Sequence, residues 1–181
     1  MDNGEIYYRR FLDGDNDAFA CLIDEYYDGL ALYLNTYFRD LGKAEEASED
    51  VFVKLVTKKP RFRSRSSFKT WLYAIGRNIS LDRLRKASSK TEIQIDEAFE
   101  IPSDIEVETE YLKTERNIAL HKAMKELPPE YRQSLWLMYF EDLSVKEISE
   151  IMKKSVSSVE HLLRRAREAL KSKFEKEDIT L

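Results

Sequence analysis

The stretch SFKTWLYAIGRNISLDRLRK, residues 67–86, sets Phe68, Trp71 and Tyr73 among five cations, Lys69, Arg77, Arg83, Arg85 and Lys86, with Asp82 as its only acid. Flat rings beside positive charge suit single-stranded nucleic acid, because unpaired bases stack on rings while cations track the phosphates. Stacking contributes roughly 1–3 kcal/mol per base, and removing a base from the duplex costs a few kcal/mol. A few such contacts would hold a short melted segment open. The preceding loop RFRSRSS, residues 61–67, adds Arg61, Arg63 and Arg65. Asn78 suits base readout, since an amide both donates to and accepts from a base edge; a local bond to backbone is its bland alternative.

A second group of residues has a different chemistry. LSVKEISEIMKKSVSSVEHLLRRAREALKSKF, residues 143–174, carries two Ser-x-x-Glu pairs, Ser144 with Glu147 and Ser157 with Glu160. Each reads as a capping box, opening helices near 145–152 and 156–172 across a turn at Lys153, Lys154 and Ser155. Ile148, Ile151, Met152, Val156, Val159, Leu162, Leu163 and Ala166 would close the pair at a steep angle, the spacing of a helix-turn-helix. Outside that apolar set the second helix holds Ser157, Ser158, Glu160, His161, Arg164, Arg165 and Arg167. Short polar groups at a helix start approach base edges in the major groove, and arginines further on reach phosphates.

Charge is segmented along the chain. The net charge over 181 residues is only −4. Residues 1–50 hold thirteen acids against four bases, a balance of −9; residues 58–90 hold eleven bases against one acid, +10. Residues 91–117 hold nine acids against two bases, −7, and residues 153–173 seven bases against two acids, +5. Each run alone reads as a solvated face, but both basic blocks coincide with a distinctive helical motif.

The elements that must position these residues read as helices throughout. Five Gly and four Pro argue against a turn-rich β protein, and Leu, Ala, Glu, Lys and Arg dominate. The expected class is all-α. Residues 18–38 place Phe19, Leu22, Ile23, Tyr26 and Tyr27 at helical spacing, resuming after Gly29 with Leu30, Leu34 and Phe38: two helices, or one broken near Gly29. Residues 42–59 carry an apolar stripe of Ala47, Val51 and Leu55 with acids in the first turns, and Pro60 ends the helix. The next helix opens at Phe68, with Phe68, Trp71, Leu72, Ile75 and Ile79 on one side and Lys69, Tyr73 and Arg77 opposite. Tyr73 is expected to be the less buried of its rings. Residues 87–107 lose the helical period and read as a linker; a second helical module starts near Glu108, with Pro129 opening a helix inside it.

Cys21 is the only cysteine, so neither an internal disulfide nor a cysteine zinc site is possible, and it reads as a buried small hydrophobe. His121 and His161 are too far apart to read as a metal-ligand pair, and no cofactor is expected. No apolar run spans a membrane, and the acidic start MDNGEIYYRRFLDGDND is no secretory signal, so the expected address is the cytoplasm. With no phosphate-cradling Gly loop and no nucleophile–base pair, an enzyme is the least supported reading.

Duplex recognition at one end and strand separation at the other is the division of labour that promoter opening demands. The chain resembles bacterial RNA polymerase sigma factors of the sigma-70 superfamily, specifically the small extracytoplasmic-function type. The pieces, in order, are GDNDAFACLIDEYYDGL, AEEASEDVF, SFKTWLYAIGRNISLDRLRK and LPPEYRQSLWLMYFEDLSVKEISEIMKKSVSSVEHLLRRAREAL, with an acidic linker between the halves. The resemblance implies a region 2 domain over 1–88, a linker over 89–107 and a region 4 helix-turn-helix domain over 108–176. It implies that Glu45, Glu46, Glu49 and Asp50 face core polymerase with Phe52 as anchor, Glu49 standing where the family usually has Gln. It implies that the loop 61–67 captures a flipped base of the −10 element, and that Arg61, Arg63, Arg65, Lys69, Trp71, Tyr73, Arg77, Asn78, Arg83 and Arg85 serve that element. Ser157, Ser158, Glu160, His161, Arg164 and Arg165 would read the −35 element. Many relatives have Lys-Ser where this chain has Glu160-His161, which implies a different −35 preference. The partners implied are core polymerase through its β and β′ subunits, promoter DNA and an anti-sigma factor. The acidic linker would thread the polymerase cleft near the RNA path.

Two other readings compete. An ordinary helix-turn-helix repressor or activator would share the C-terminal motif but has no use for the aromatic, basic first module. An all-α scaffold would make both basic blocks accidental.

Overall fold

A computed structural model describes residues 2–91 and 123–176. Most of the linker and the helix expected from Glu108 lie outside the described residues. Four helices form the first part: α1 (Asn3–Leu12), α2 (Asn16–Phe38), α3 (Leu41–Lys58) and α4 (Phe68–Thr91). After a helical turn at 123–125 come α5 (Pro129–Tyr139), α6 (Val145–Met152) and α7 (Val156–Lys176). Every described element is helical, as expected.

Local chemistry sets the helix ends. The carboxylates of Asp2, Asp15 and Asp40 accept from the first-turn amides of α1, α2 and α3. Ser144 and Glu147 form the full reciprocal box at α6. Left-handed residues Arg39, Lys59 and Lys153 terminate α2, α3 and α6, with Pro60 blocking continuation of α3. The expected box of Ser157 and Glu160 does not form. The left-handed turn at Lys153 brings Ser155 to the cap position, where its hydroxyl accepts from the Ser158 amide at 3.1 Å.

The break expected near Gly29 is also absent: α2 runs straight through it, and Gly29 is buried. An internal glycine costs a helix about 1 kcal/mol, which burial of Leu22, Tyr26, Leu30 and Leu34 along the same helix outweighs. Helix α2 packs against α1, α3, α4 and α5, so between Leu30 and Leu34 it is buried on all sides. Gly76 lets α4 cross it closely, since a Cβ there would sit 3.0 Å from Leu30 and 3.1 Å from Leu34. Cys21 is a correction: it is exposed on α2, one position before the buried Leu22.

The apolar core is continuous across both parts of the chain. Helix α6 lies on α4 and α5 lies on α2. Among the described residues no helix is long and apolar enough to cross a membrane.

Candidate nucleic-acid interface

The helix-turn-helix assembles as its spacing predicts, except that Val156, expected in the closing apolar set, is exposed at the start of α7. Val159, Leu162, Leu163, Ala166 and Leu170 of α7 are buried against α5 and α6. The opposite face carries Ser157, Ser158, Glu160, His161, Arg164 and Arg165, all exposed. Arg164 shares its charge with Glu168 at 3.1 Å, and the Arg167 guanidinium donates to the Tyr139 hydroxyl. With the cap supplied by Ser155, Glu160 is an exposed carboxylate able to accept from a cytosine amino group.

On α3 the acids Glu45, Glu46, Glu49 and Asp50 are all exposed, while Phe52 points inward, packed on Phe19 and Tyr27. Phe52 therefore fixes α3 to α2 from inside rather than offering a ring to a partner. Arg83 of α4 bridges Asp50 at 2.6 Å and Glu46 at 3.0 Å. Burial opposes its charge, but these two carboxylates outweigh that and push its pKa up. Arg83 is thus tied to the acidic face of α3 in this structure.

The opening aromatic stretch is corrected most. Phe68 is 0% and Tyr73 1% exposed, and Trp71 is half-buried among Tyr8, Phe62 and Phe68. Tyr73 stacks on Tyr33 with centroids 5.3 Å apart. Lys69 and Tyr73 do share one stripe, as the periodicity indicates, but the turn between α5 and α6 covers it. The Glu141 carboxylate is fully enclosed there: it accepts from the Tyr73 hydroxyl at 2.7 Å and the Trp136 indole at 3.2 Å, and pairs with the Lys69 ammonium at 2.7 Å. Arg77 and Asn78 are half-buried; the Arg77 charge opposes burial at Tyr37, whose pKa is still pushed up to about 12. Arg85 is exposed and paired with Asp82. Arg61, Arg63 and Arg65 are exposed on the loop between α3 and α4.

Other contacts join the two parts. Ser67 and Thr70 hydroxyls donate to Glu147 at 3.1 and 3.3 Å. Burial raises the Glu147 pKa, but bonds from Ser144, Ser67 and Thr70 outweigh it and hold the carboxyl below its ordinary range. Arg132 is 5% exposed and grips the C-terminal end of α2, donating twice to the Thr36 carbonyl at 2.8 and 3.0 Å and once each to those of Lys125 and Leu127 at 3.1 Å. Burial, with Arg39 nearby, pushes its pKa down to about 10. Sequence reasoning missed Glu141, Arg132 and the reach of Glu147 beyond its capping box, because the partners concerned lie far away along the chain.

Comparison with known proteins gives this geometry a context. Residues 22–90 match Sigma-70 region 2, and residues 117–170 match Sigma-70, region 4. The RNA polymerase sigma-H factor of Pseudomonas aeruginosa is 31% identical over 166 residues, covering 87% of this chain and 86% of that protein. The ECF RNA polymerase sigma factor SigW of Bacillus subtilis is 29% identical over 170 residues, covering 89% and 91%. Among solved structures, the sigma factor RpoE in complex with the anti-sigma factor NepR from Bartonella quintana superposes with a TM-score of 0.73 at 21% identity, covering 87% of this chain and 96% of that one. CnrH in complex with the cytosolic domain of CnrY gives 0.67 at 20%, covering 97% and 99%. At those identities the structural likeness speaks for the fold alone. With both regions matched in order and a relative above 30% identity over most of its length, the chain belongs to the extracytoplasmic-function RNA polymerase sigma factors of the sigma-70 family.

Proposed function

We propose that the two halves divide the work of promoter opening. The first half docks on core polymerase through Glu45, Glu46, Glu49 and Asp50, and takes the −10 strand on the loop bearing Arg61, Arg63 and Arg65 with Arg77 and Asn78 behind it. The second half reads the −35 duplex with the exposed face of α7. The protein acts by binding rather than by a reaction of its own, in the cytoplasm. The observation that carries this reading is the grouping of Ser157, Ser158, Glu160, His161, Arg164 and Arg165 on one exposed helix face, directly after a helix-turn-helix turn.

The closed arrangement is a resting form. The two promoter elements lie roughly 25 base pairs apart by their names, or about 85 Å of duplex at about 3.4 Å per base pair. Halves joined by hydrogen bonds at Glu141 and Arg132 do not bridge that length. The 31 residues between Thr91 and Ala123 allow at most about 3.3–3.6 Å each, roughly 100 Å, which does. Polar groups in the contact favour reversal, since water satisfies Glu141, Lys69 and Arg132 once exposed, while the apolar residues that continue the core across it oppose it. An anti-sigma factor, of the kind bound to the RpoE chain, would act by holding such a form.

The test is promoter binding with and without core polymerase. The −9 balance of the first fifty residues repels DNA until polymerase covers it. The chain alone should bind promoter DNA weakly, and the complex tightly and with strong salt dependence. Tight, sequence-specific binding by the chain alone would refute the reading.

A further inference from the structure

We infer that α1 is a positioning element for the −10 loop, with Glu5 and Ser64 as its central pair. Helix α1 precedes the segment matched to region 2. Two of its side chains and its capping residue Asp2, spaced by three residues, hold the loop at its start, middle and end. The Tyr8 hydroxyl donates to the Pro60 carbonyl at 2.9 Å. The Ser64 hydroxyl donates to Glu5 Oε1 at 2.6 Å. The Phe68 amide donates to Asp2 Oδ2 at 2.6 Å, while Asp2 Oδ1 caps α1 itself. Residues 2, 5 and 8 therefore form one stripe of a helix laid along residues 60–68.

The middle contact matters most. Ser64 has φ +50°, a left-handed conformation that an L-residue other than glycine adopts at a cost. It lies between Arg63 and Arg65, so its conformation decides where both guanidiniums project. Glu5 is 8% exposed and also pairs with Arg9 at 2.6 Å, so its carboxylate is fixed before it receives Ser64. Close approach of α1 depends on Gly4, where a Cβ would sit 2.4 Å from the Phe68 ring and 2.7 Å from the Tyr26 hydroxyl. A loop restrained at three points by a buried surface is preorganised, and strand capture then costs less ordering entropy.

The inference rests on the reading of residues 61–67 as the strand-capturing loop, and the experiment separates the two. Polymerase complexes carrying Glu5→Ala, Ser64→Ala, Glu5→Gln and a combined Arg61→Ala, Arg63→Ala, Arg65→Ala change are compared. The readouts are affinity for core polymerase and the fluorescence of 2-aminopurine placed in the −10 element. Losing a hydrogen bond to a charged group lowers the competent loop population, so Glu5→Ala and Ser64→Ala should each reduce the opening signal roughly 10- to 100-fold. Core affinity should be unchanged. Glu5→Gln keeps an acceptor oxygen and should restore opening. Ser64→Ala changes an exposed loop residue, so it reports even where Glu5→Ala loosens the fold. Wild-type opening in Glu5→Ala and Ser64→Ala, with loss in the arginine variant, overturns the role of α1 and leaves the loop reading intact. No loss in the arginine variant overturns the loop reading and the inference together. Equal loss of core affinity and opening in both single variants also overturns the inference.

Discussion

Glu141→Ala should open the closed form. The carboxylate lost is fully enclosed and receives the Tyr73 hydroxyl, the Trp136 indole and the Lys69 ammonium. Breaking a buried pair from one side costs about 3–5 kcal/mol. The Lys69 side chain is 28% exposed and recovers some water, which brings the loss to the bottom of that range or just below it, about 2–3 kcal/mol. The open form pays none of this, so the closed-to-open ratio should fall roughly 30- to 150-fold at about 1.4 kcal/mol per tenfold. Cys21, exposed on α2 and the only cysteine, takes one spin label, and Ser172→Cys on α7 takes the other. Pulsed electron resonance should give one short, narrow distance in the parent and a broad, longer distribution in the variant. Lys69→Ala should act alike, and the double variant should cost little more than either single change, because both break one contact. The free variant should also bind single-stranded −10 DNA more tightly, since Lys69 and Tyr73 become accessible. An unchanged distance distribution with unchanged strand binding would refute the reasoning that Glu141 holds the halves together.

Other outcomes follow from the same geometry. Arg132→Lys should loosen the contact at α2, because an ammonium cannot reproduce the paired donation to Thr36; the same label distances check it. Gly76→Ala should cost about 1–3 kcal/mol in denaturant unfolding, as its Cβ meets Leu30 and Leu34. Ser144→Ala removes the α6 capping box and should cost about 1 kcal/mol. Asp15, Asp40, Glu126 and Glu147 are all held below ordinary carboxylate pKa values. A depressed carboxylate stabilises the fold above its unfolded value and loses that contribution as pH falls through the folded one, so stability measured by thermal melts should decline as pH drops below about 4.

How far the sequence spoke for the structure depended on where each residue's partners lie. The cap at Ser144, the stop at Pro60 and the stripe Ala47, Val51, Leu55 are set by neighbours within a turn, and local motifs and periodicity find them. The exposed face of α7 was legible for the same reason: its apolar half is packed by adjacent helices, so the remainder must face outward. Tyr73 was not legible. Its position opposite Phe68 is correct, but Tyr33, forty residues earlier, and Glu141, sixty-eight later, decide that this side is covered. The pairing of Arg83 was hidden likewise, since Asp50 and Glu46 come beside it only when α3 packs on α4. Gly29 and Cys21 mislead in the opposite sense, since burial of α2 overrides the glycine's preference and a one-position rotation takes the cysteine to the surface. Residues Asp2, Glu5 and Tyr8 carry a spacing of three that only gains meaning once the loop they grip is in place.

The most direct measurement is run-off transcription from a promoter-bearing template by bacterial core polymerase, with and without this chain. The account predicts discrete promoter-initiated transcripts only when the chain is added, lost when Arg164 and Arg165 are replaced by alanine on a promoter whose −35 element they contact. Transcripts independent of the chain, or a chain that leaves core polymerase unable to start at any promoter, would contradict it.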